Sequence, residues 1–414
     1  MSQKNLATGI TYTRDWNERL STTGQVYLSK YDLNATNFDV LNNQRLIQEN
    51  EVTDGSVKFD MNYKATQTIK INGGYQFSEI GISNLEDVNN PVFRSYIKEV
   101  VRSHAIYTES SILSNNALTN LKIGARINYH EKFSMFLFEP RLNFSQRFLN
   151  YFRLEIQGEI KSQTTSQIID LQNDFLGIEK RRWILSNNES VPVIKSKQIS
   201  TGIHFNKNQL LIGAEVYLKD VEGITSRSQG FQNQYQFVNA IGNYQIKGID
   251  LLINKQFNNL ISSWIGYSFS KNEYTFDTLN NGESFPNNAD IRHALTVAGT
   301  YTYNDFKFAL GLNWHSGKPV TNPVIGDEVI DDTINFESPN SARLSDYLRA
   351  DFSTTYGFNV SEKTHAIIGA SVWNVTNKKN IINTYYRLDD QNMVTKVENQ
   401  SLGITPNVSF RLQF

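Results

Sequence analysis

A chain of 414 residues is too long for one ordinary soluble domain unless it builds a large barrel or a repeat. Its formal net charge of −1 supplies no field that would hold nucleic acid, and a count of Cys 0 excludes a disulfide framework and thiolate-bound metal. No apolar run approaches the ~18 residues of a spanning helix, yet the mean hydropathy of −0.44 does not exclude a membrane barrel, whose strands turn half their residues to a wet interior.

In chain order, the first residues, MSQKNLATGITYTRDW, carry no basic patch, apolar h-region or cleavage site, so no signal peptide is read there. Alternation begins soon after. Val57, Phe59, Met61 and Tyr63 face one way, with Lys58, Asp60 and Asn62 between them. Ile69, Ile71, Tyr75 and Phe77 oppose Lys70, Asn72 and Gln76. The pattern returns at Leu121–Tyr129, 152–160, 210–219 and 306–315, and again at 347–358, where Leu348, Ala350 and Phe352 oppose Arg349, Asp351 and Ser353. It ends in LGITPNVSFRLQF, where Val408, Phe410, Leu412 and Phe414 alternate with Ser409, Arg411 and Gln413. Period-two alternation means a strand with one apolar and one wet face. The spacing predicts about 17 strands of roughly ten residues, the length that crosses a bilayer when tilted.

The connections alternate too. Short polar turns are predicted at 64–67, 114–120, 149–151, 206–209, 257–259, 304–305 and 361–363. Long polar loops fall at 33–51, 162–197, 220–243, 272–291, 317–346 and 378–401. This rhythm fits an all-β, antiparallel up-and-down transmembrane barrel with turns on one side and working loops on the other. A soluble sandwich has no reason to sort its loops by side.

Little local chemistry is encoded. The six histidines, His104, His130, His204, His293, His315 and His365, show no ligand spacing. GLNWHSGK ends like a phosphate loop, but its first glycine is misplaced and Pro319 stands where Ser or Thr belongs. No nucleophile motif or carboxylate pair emerges, so neither an enzyme nor a cofactor or metal site is expected. Charges on the polar faces suit a hydrated or filled lumen. Within the loop 171–197, Arg181, Arg182 and Trp183 form a cationic, stacking patch that suits a flat anionic ligand; alternatively the segment packs on the rim as a lid or strand extension.

Several segments, in this order and spacing, resemble the C-terminal part of a TonB-dependent outer-membrane receptor barrel of the Bacteroidota type. They are RRWILSNNESVPVIKSKQISTG, GITSRSQGFQNQY, FPNNADIRHALTVAGTY, FKFALGLNWHSGKPVTNP, YLRADFSTTYGF, ASVWNVTNKKN and TPNVSFRLQF. The resemblance covers residues 1–414 as one barrel domain. It implies an outer-membrane location, contact with lipid, and active uptake of a scarce ligand, often a ferric siderophore, sometimes haem, cobalamin or a glycan. Energy would come from the TonB complex through an N-terminal plug. The family's 22 strands, plug and signal exceed what is read here, so an N-terminally truncated chain is expected. Arg292, His315 and Arg349 join Arg181, Arg182 and Trp183 as candidate ligand contacts. A plugless passive porin and an outer-membrane adhesin or scaffold stand as alternatives.

Overall fold

In the computed structural model, which describes residues 1–40, 43–170, 180–187, 189–236, 238–389 and 391–414, consecutive strands pair antiparallel in one continuous wall. The eighteen-stranded sheet comprises a two-residue strand, Phe285–Pro286, and seventeen long ones. These are β1 (Ser2–Asp15), β2 (Leu20–Asp39), β3 (Gln44–Lys64), β4 (Ile69–Asn89), β5 (Val92–Leu113) and β6 (Thr119–His130). Next come β7 (Met135–Phe148), β8 (Phe152–Gln163), β9 (Ile194–Lys207), β10 (Leu210–Thr225), β11 (Ile241–Gln256) and β12 (Ile261–Phe276). The last are β13 (His293–Tyr303), β14 (Phe306–His315), β15 (Tyr347–Ser361), β16 (Thr364–Trp373) and β17 (Thr405–Gln413). Each pairs with its sequence neighbour. No helix among the described residues is long and apolar enough to cross a membrane; strands make the wall.

Turn chemistry sets the short side. Asn208 and Gln209 both take positive φ, 51° and 60°, as a two-residue turn that keeps the right-handed strand twist requires. The carboxamide oxygen of Asn258 accepts the N–H groups of Leu260 and Ile261, each at 2.8 Å. Asn17 does the same for Arg19 and Leu20. All the short turns named from the sequence fall on this side.

The opposite side differs from the sequence reading in one respect. Residues 33–39 and 44–51, expected as parts of a loop, are ladder: Leu33 pairs with Asn50, and the hairpin's last pair is Asp39 with Gln44. β4 and β5 likewise run 21 and 22 residues and pair to Asn89↔Val92. These strands outrun a bilayer, and above it both faces meet water. Polarity on both faces hides the alternation there. Lys30 bonds Glu51 at 2.8 Å and Asp32 at 3.3 Å on that projecting part.

Among the described residues the apolar rows point outward and meet no second layer of protein. Val57 and Phe59 are each 51 % exposed, and Leu310 is 58 % exposed. A soluble protein does not present so wide an apolar belt to water; hydrocarbon is the medium that satisfies it. Packed apolar clusters lie at the long-loop end instead. One joins Val221, Ile224, Phe231, Tyr274, Phe276 and Phe285, and a smaller one joins Ile82, Val101 and Leu185.

Candidate functional site

Because outward and inward residues alternate, the register fixes what faces the lumen. Lys58, Asp60, Gln76, Tyr107 and Arg126 lie on the inner faces of β3–β6, and they touch. The phenol of Tyr107 donates to Asp60 Oδ1 at 2.5 Å, Lys58 pairs with Asp60 at 3.0 Å, and the Arg126 guanidinium sits 5.4 Å from the Tyr107 ring centroid. Arg126 also donates to Gln76 Oε1 at 3.0 Å. Further round, Glu109, Lys122, Arg141, Asn143, Gln157 and Glu159 line a polar cavity of about 210 Å³. Cross-strand pairing of this kind spends charge on itself, so the wall is hydrated and nearly neutral.

Nearer the mouth, β14–β16 carry a different patch. His315 stacks on Tyr347, their centroids 4.8 Å apart and their planes 3° from parallel. Two residues on, Arg349 Nε donates to Asp351 Oδ1 at 2.7 Å, and its guanidinium lies 5.2 Å from the Trp373 ring. Asp351 is held in place by the Asn374 N–H at 2.9 Å. The structure therefore brings His315 and Arg349 together, since His315 pairs with Tyr347 and Asn313 with Arg349 in the same ladder. Tyr347 and Trp373 complete the patch. Sequence reasoning passed over both, although Tyr347 opens the YLRAD strand and Trp373 closes a neighbouring one.

Arg292 stands just beyond the end of the β13–β14 ladder, where Ala294 pairs with His315, and is already engaged. Its Nη2 donates to Asp290 at 2.8 Å, and Asp290 has no exposed side-chain surface. Arg343 binds the same carboxylate and also donates to the carbonyls of Asp290 (2.7 Å) and Gly317 (3.0 Å). This triad, closed on the buried Asp290, ties the loop 277–292 to the loop 316–346. A third outer element, the hairpin Ile381–Leu388 with Val394–Gln400, leans on the same loop through Tyr386, whose hydroxyl donates to Asn322 at 2.8 Å. Burial pushes that phenol above its ordinary value, so it stays a neutral donor.

The segment carrying Arg181, Arg182 and Trp183 folds into the mouth. Thr165–Asp170 pairs with Lys180–Leu185, and residues 171–179 and 188 of that loop, with the Arg181 side chain, lie outside the described residues. Arg182 is half-buried. Trp183 is pinned through its backbone: its N–H donates to Asn50 Oδ1 at 3.2 Å, and its carbonyl accepts from Asn84 at 3.2 Å and Asn50 at 3.4 Å. Asn50 and Asn84 face inward and are only 4 % and 9 % exposed. Beside them Leu185 is buried against Ile82 and Val101. The Asn50→Leu variant, about the same size, loses both of that residue's bonds to the Trp183 backbone and strands the Trp183 amide. It is expected to destabilise the docked hairpin by about 1–3 kcal/mol, read as faster hydrogen exchange at the Trp183 amide with the wall strands unchanged.

Among the described residues no group of three or more His, Cys, Asp or Glu side chains is arranged to hold a metal ion.

A seventeen-stranded antiparallel meander with a greasy exterior, a polar lumen and long loops on one side defines the wall of a transmembrane barrel. A family model described as "TonB dependent receptor-like, beta-barrel" matches residues 2–377. The chain belongs to that family, whose members are outer-membrane transporters of Gram-negative bacteria and not enzymes. No curated protein matches the sequence. Among solved structures it is similar to the ferric citrate transporter FecA at 12 % identity and TM-score 0.69, over 99 % of this chain and 61 % of that one. It is similar to the ferric yersiniabactin uptake receptor FyuA from Yersinia pestis at 11 % and 0.68, over 100 % and 62 %. It is also similar to the copper transporter OprC at 11 % and 0.69, over 100 % and 65 %. At such identities the likeness is one of fold. The chain spans about three fifths of the length of these receptors.

Proposed function

We propose that this chain forms the wall and outer loops of an active-transport receptor that captures a scarce ligand, a ferric siderophore or a similar chelate, for TonB-driven entry. The observation that carries the reading is the mouth patch, in which Arg349 and the stacked His315–Tyr347 pair face the lumen beneath roof loops bound to one another. A guanidinium beside flat rings suits an anionic chelate with aromatic or planar arms. The structures it resembles include a ferric citrate transporter and a ferric yersiniabactin receptor. Arg182, Trp183 and Arg181, on the inward-folded hairpin, are proposed to meet the ligand from the opposite side of the mouth; Arg292 is proposed to act through the loops it ties. A Bacteroidota-like source remains part of the proposal. So does a complete barrel of 22 strands, because seventeen leave the first and last strands parallel while bacterial barrels close on even numbers. In it the plug and the TonB contact would lie in the part of the receptors' length that this chain does not match.

The test is titration of the purified protein with a panel of ferric chelates, read by tryptophan fluorescence, with Trp373 as the nearby reporter. At least one chelate is expected to saturate the signal, and Arg349→Ala to weaken it about tenfold or more, as loss of a charge-assisted bond requires. Absence of saturable binding, with large ion conductance in planar bilayers, would make the wall a passive pore.

A further inference from the structure

Strands β2–β5 rise above the apolar belt, and one edge of that projecting sheet is bare. β5 pairs with β4 from Asn89↔Val92 down to Ile69↔Ile112. β6 joins it only from Ser103↔His130 downward, because the chain turns at Glu131–Phe133 and starts back as β7. Lys132 fastens that turn to β5, its ammonium donating to Glu99 at 3.0 Å. Above this fastening, over residues 92–98, no strand among the described residues lies on the far side of β5. Alternate residues there aim their N–H and C=O groups away from the ladder, and such a row is a template for one more strand.

The two faces of this edge differ. The unbroken register carries the outward positions of β5 upward from Ile106, which pairs with Tyr75, through the even-numbered residues. Arg94, Tyr96 and Lys98 therefore share the outer face, and Phe93 and Ile97 the face over the mouth. Tyr96 is 62 % exposed, Phe93 53 % and Ile97 52 %. Arg94 reaches Asp87 only at 3.8 Å. Lys98 is exposed and has no ion pair among the described residues. An edge that needs only guarding carries charge or stays short. Here the cations keep to one face, and uncovered apolar side chains stand on the other.

We infer that this edge is a docking site for a partner protein that offers an extended segment of alternating acidic and apolar residues, added to β5 as a further strand. Acidic side chains on one face of the added strand lie beside Arg94 and Lys98, and apolar ones on its other face lie beside Phe93 and Ile97. Opposite charges across a strand pair attract, and like charges repel. Backbone bonds supply the affinity in such a mode, and the alternate side chains choose the sequence. A second copy of this chain suits the edge less. Centred antiparallel pairing of two β5 edges gathers both copies' Arg94 and Lys98 on one face, cation beside cation.

The test uses the full chain in detergent micelles and a fluorescent synthetic peptide alternating glutamate and valine, followed by anisotropy. Saturable binding is expected, with slower hydrogen exchange at the amides of residues 92–98 and no change at the short turns. The same peptide N-methylated at every residue keeps its charge and cannot complete a ladder, so it is expected to bind about tenfold more weakly or worse. Lys98→Glu, at an exposed position with no ion pair to lose, is expected to weaken the glutamate peptide about tenfold and to favour a peptide alternating lysine and valine. The gel mobility of the folded barrel should not change. No saturable binding, equal binding of the methylated peptide, or indifference to Lys98→Glu would overturn the inference. Protection of the edge that rises with protein concentration in the absence of peptide would also overturn it, and would assign the edge to a second copy.

Discussion

Asp290→Ala is expected to release the roof of the mouth while leaving the wall intact. The Asp290 side chain has no exposed surface and makes every one of its contacts in a charge-rich knot: Arg292 at 2.8 Å, Arg343, and the Asn272 N–H at 2.8 Å. Deleting the carboxylate leaves two guanidinium groups facing each other with nothing between them. Breaking a buried pair by removing one partner costs about 3–5 kcal/mol. The two arginines keep 26 % and 32 % of their side-chain surface, so the lower end applies. About 3 kcal/mol taken from a local opening equilibrium speeds proteolysis of the opened loop by roughly a hundredfold when closing is fast. Trypsin cleavage within 316–346, after Lys318 and Arg343, measures this directly. The unheated gel mobility of the folded barrel should not change. Asp290→Asn keeps an acceptor and should fall between wild type and alanine. Cleavage at the wild-type rate in Asp290→Ala would show that the loops are held by something other than the triad.

The same triad shows what a linear sequence hides. Asp290 and Arg292 sit together in a recognisable stretch, but Arg343 lies 53 residues beyond Asp290, and nothing local marks it as the partner. Arg292 is, in the sequence, a candidate ligand contact; in the structure its charge is used to lock loops. The mouth patch is a middle case. His315 and Arg349 each stood out on the polar face of a strand, and strand pairing alone makes them neighbours. The wall itself was the most legible part, because period-two alternation is set within each strand by the pleat and needs no distant partner. Where that rule stops applying, the reading stops as well. Residues 33–39 and 44–51 carry polar side chains on both faces because neither face meets hydrocarbon above the membrane, and they look like loop although they are ladder. The hairpin of Trp183 gives no sign that two inward asparagines on β3 and β4 wait for its backbone.

Two adjacent residues of β8 should respond oppositely to the same substitution. Ile156 lies near the middle of the strand and faces lipid, pairing with the outward residues Phe144 and Thr201. Gln157 is its neighbour, and faces the lumen cavity beside Glu159. Ile156→Lys places an ammonium at the bilayer midplane, where a lipid-facing lysine in a barrel costs about 2–4 kcal/mol. It also gives up an apolar side chain's contact with hydrocarbon. Gln157→Lys puts the identical charge into water, with a carboxylate two residues away on the same face, and should change stability by no more than about 1 kcal/mol. Reversible unfolding in urea from thin phosphatidylcholine vesicles, followed by gel mobility, compares the two. The difference between the variants, and not either value alone, is the informative quantity, because both share the strand's propensity and the same added side-chain entropy. A penalty at 157 matching that at 156 would mean the lumen is as dry as the exterior, and the assignment of inner and outer faces would have to be reversed or abandoned.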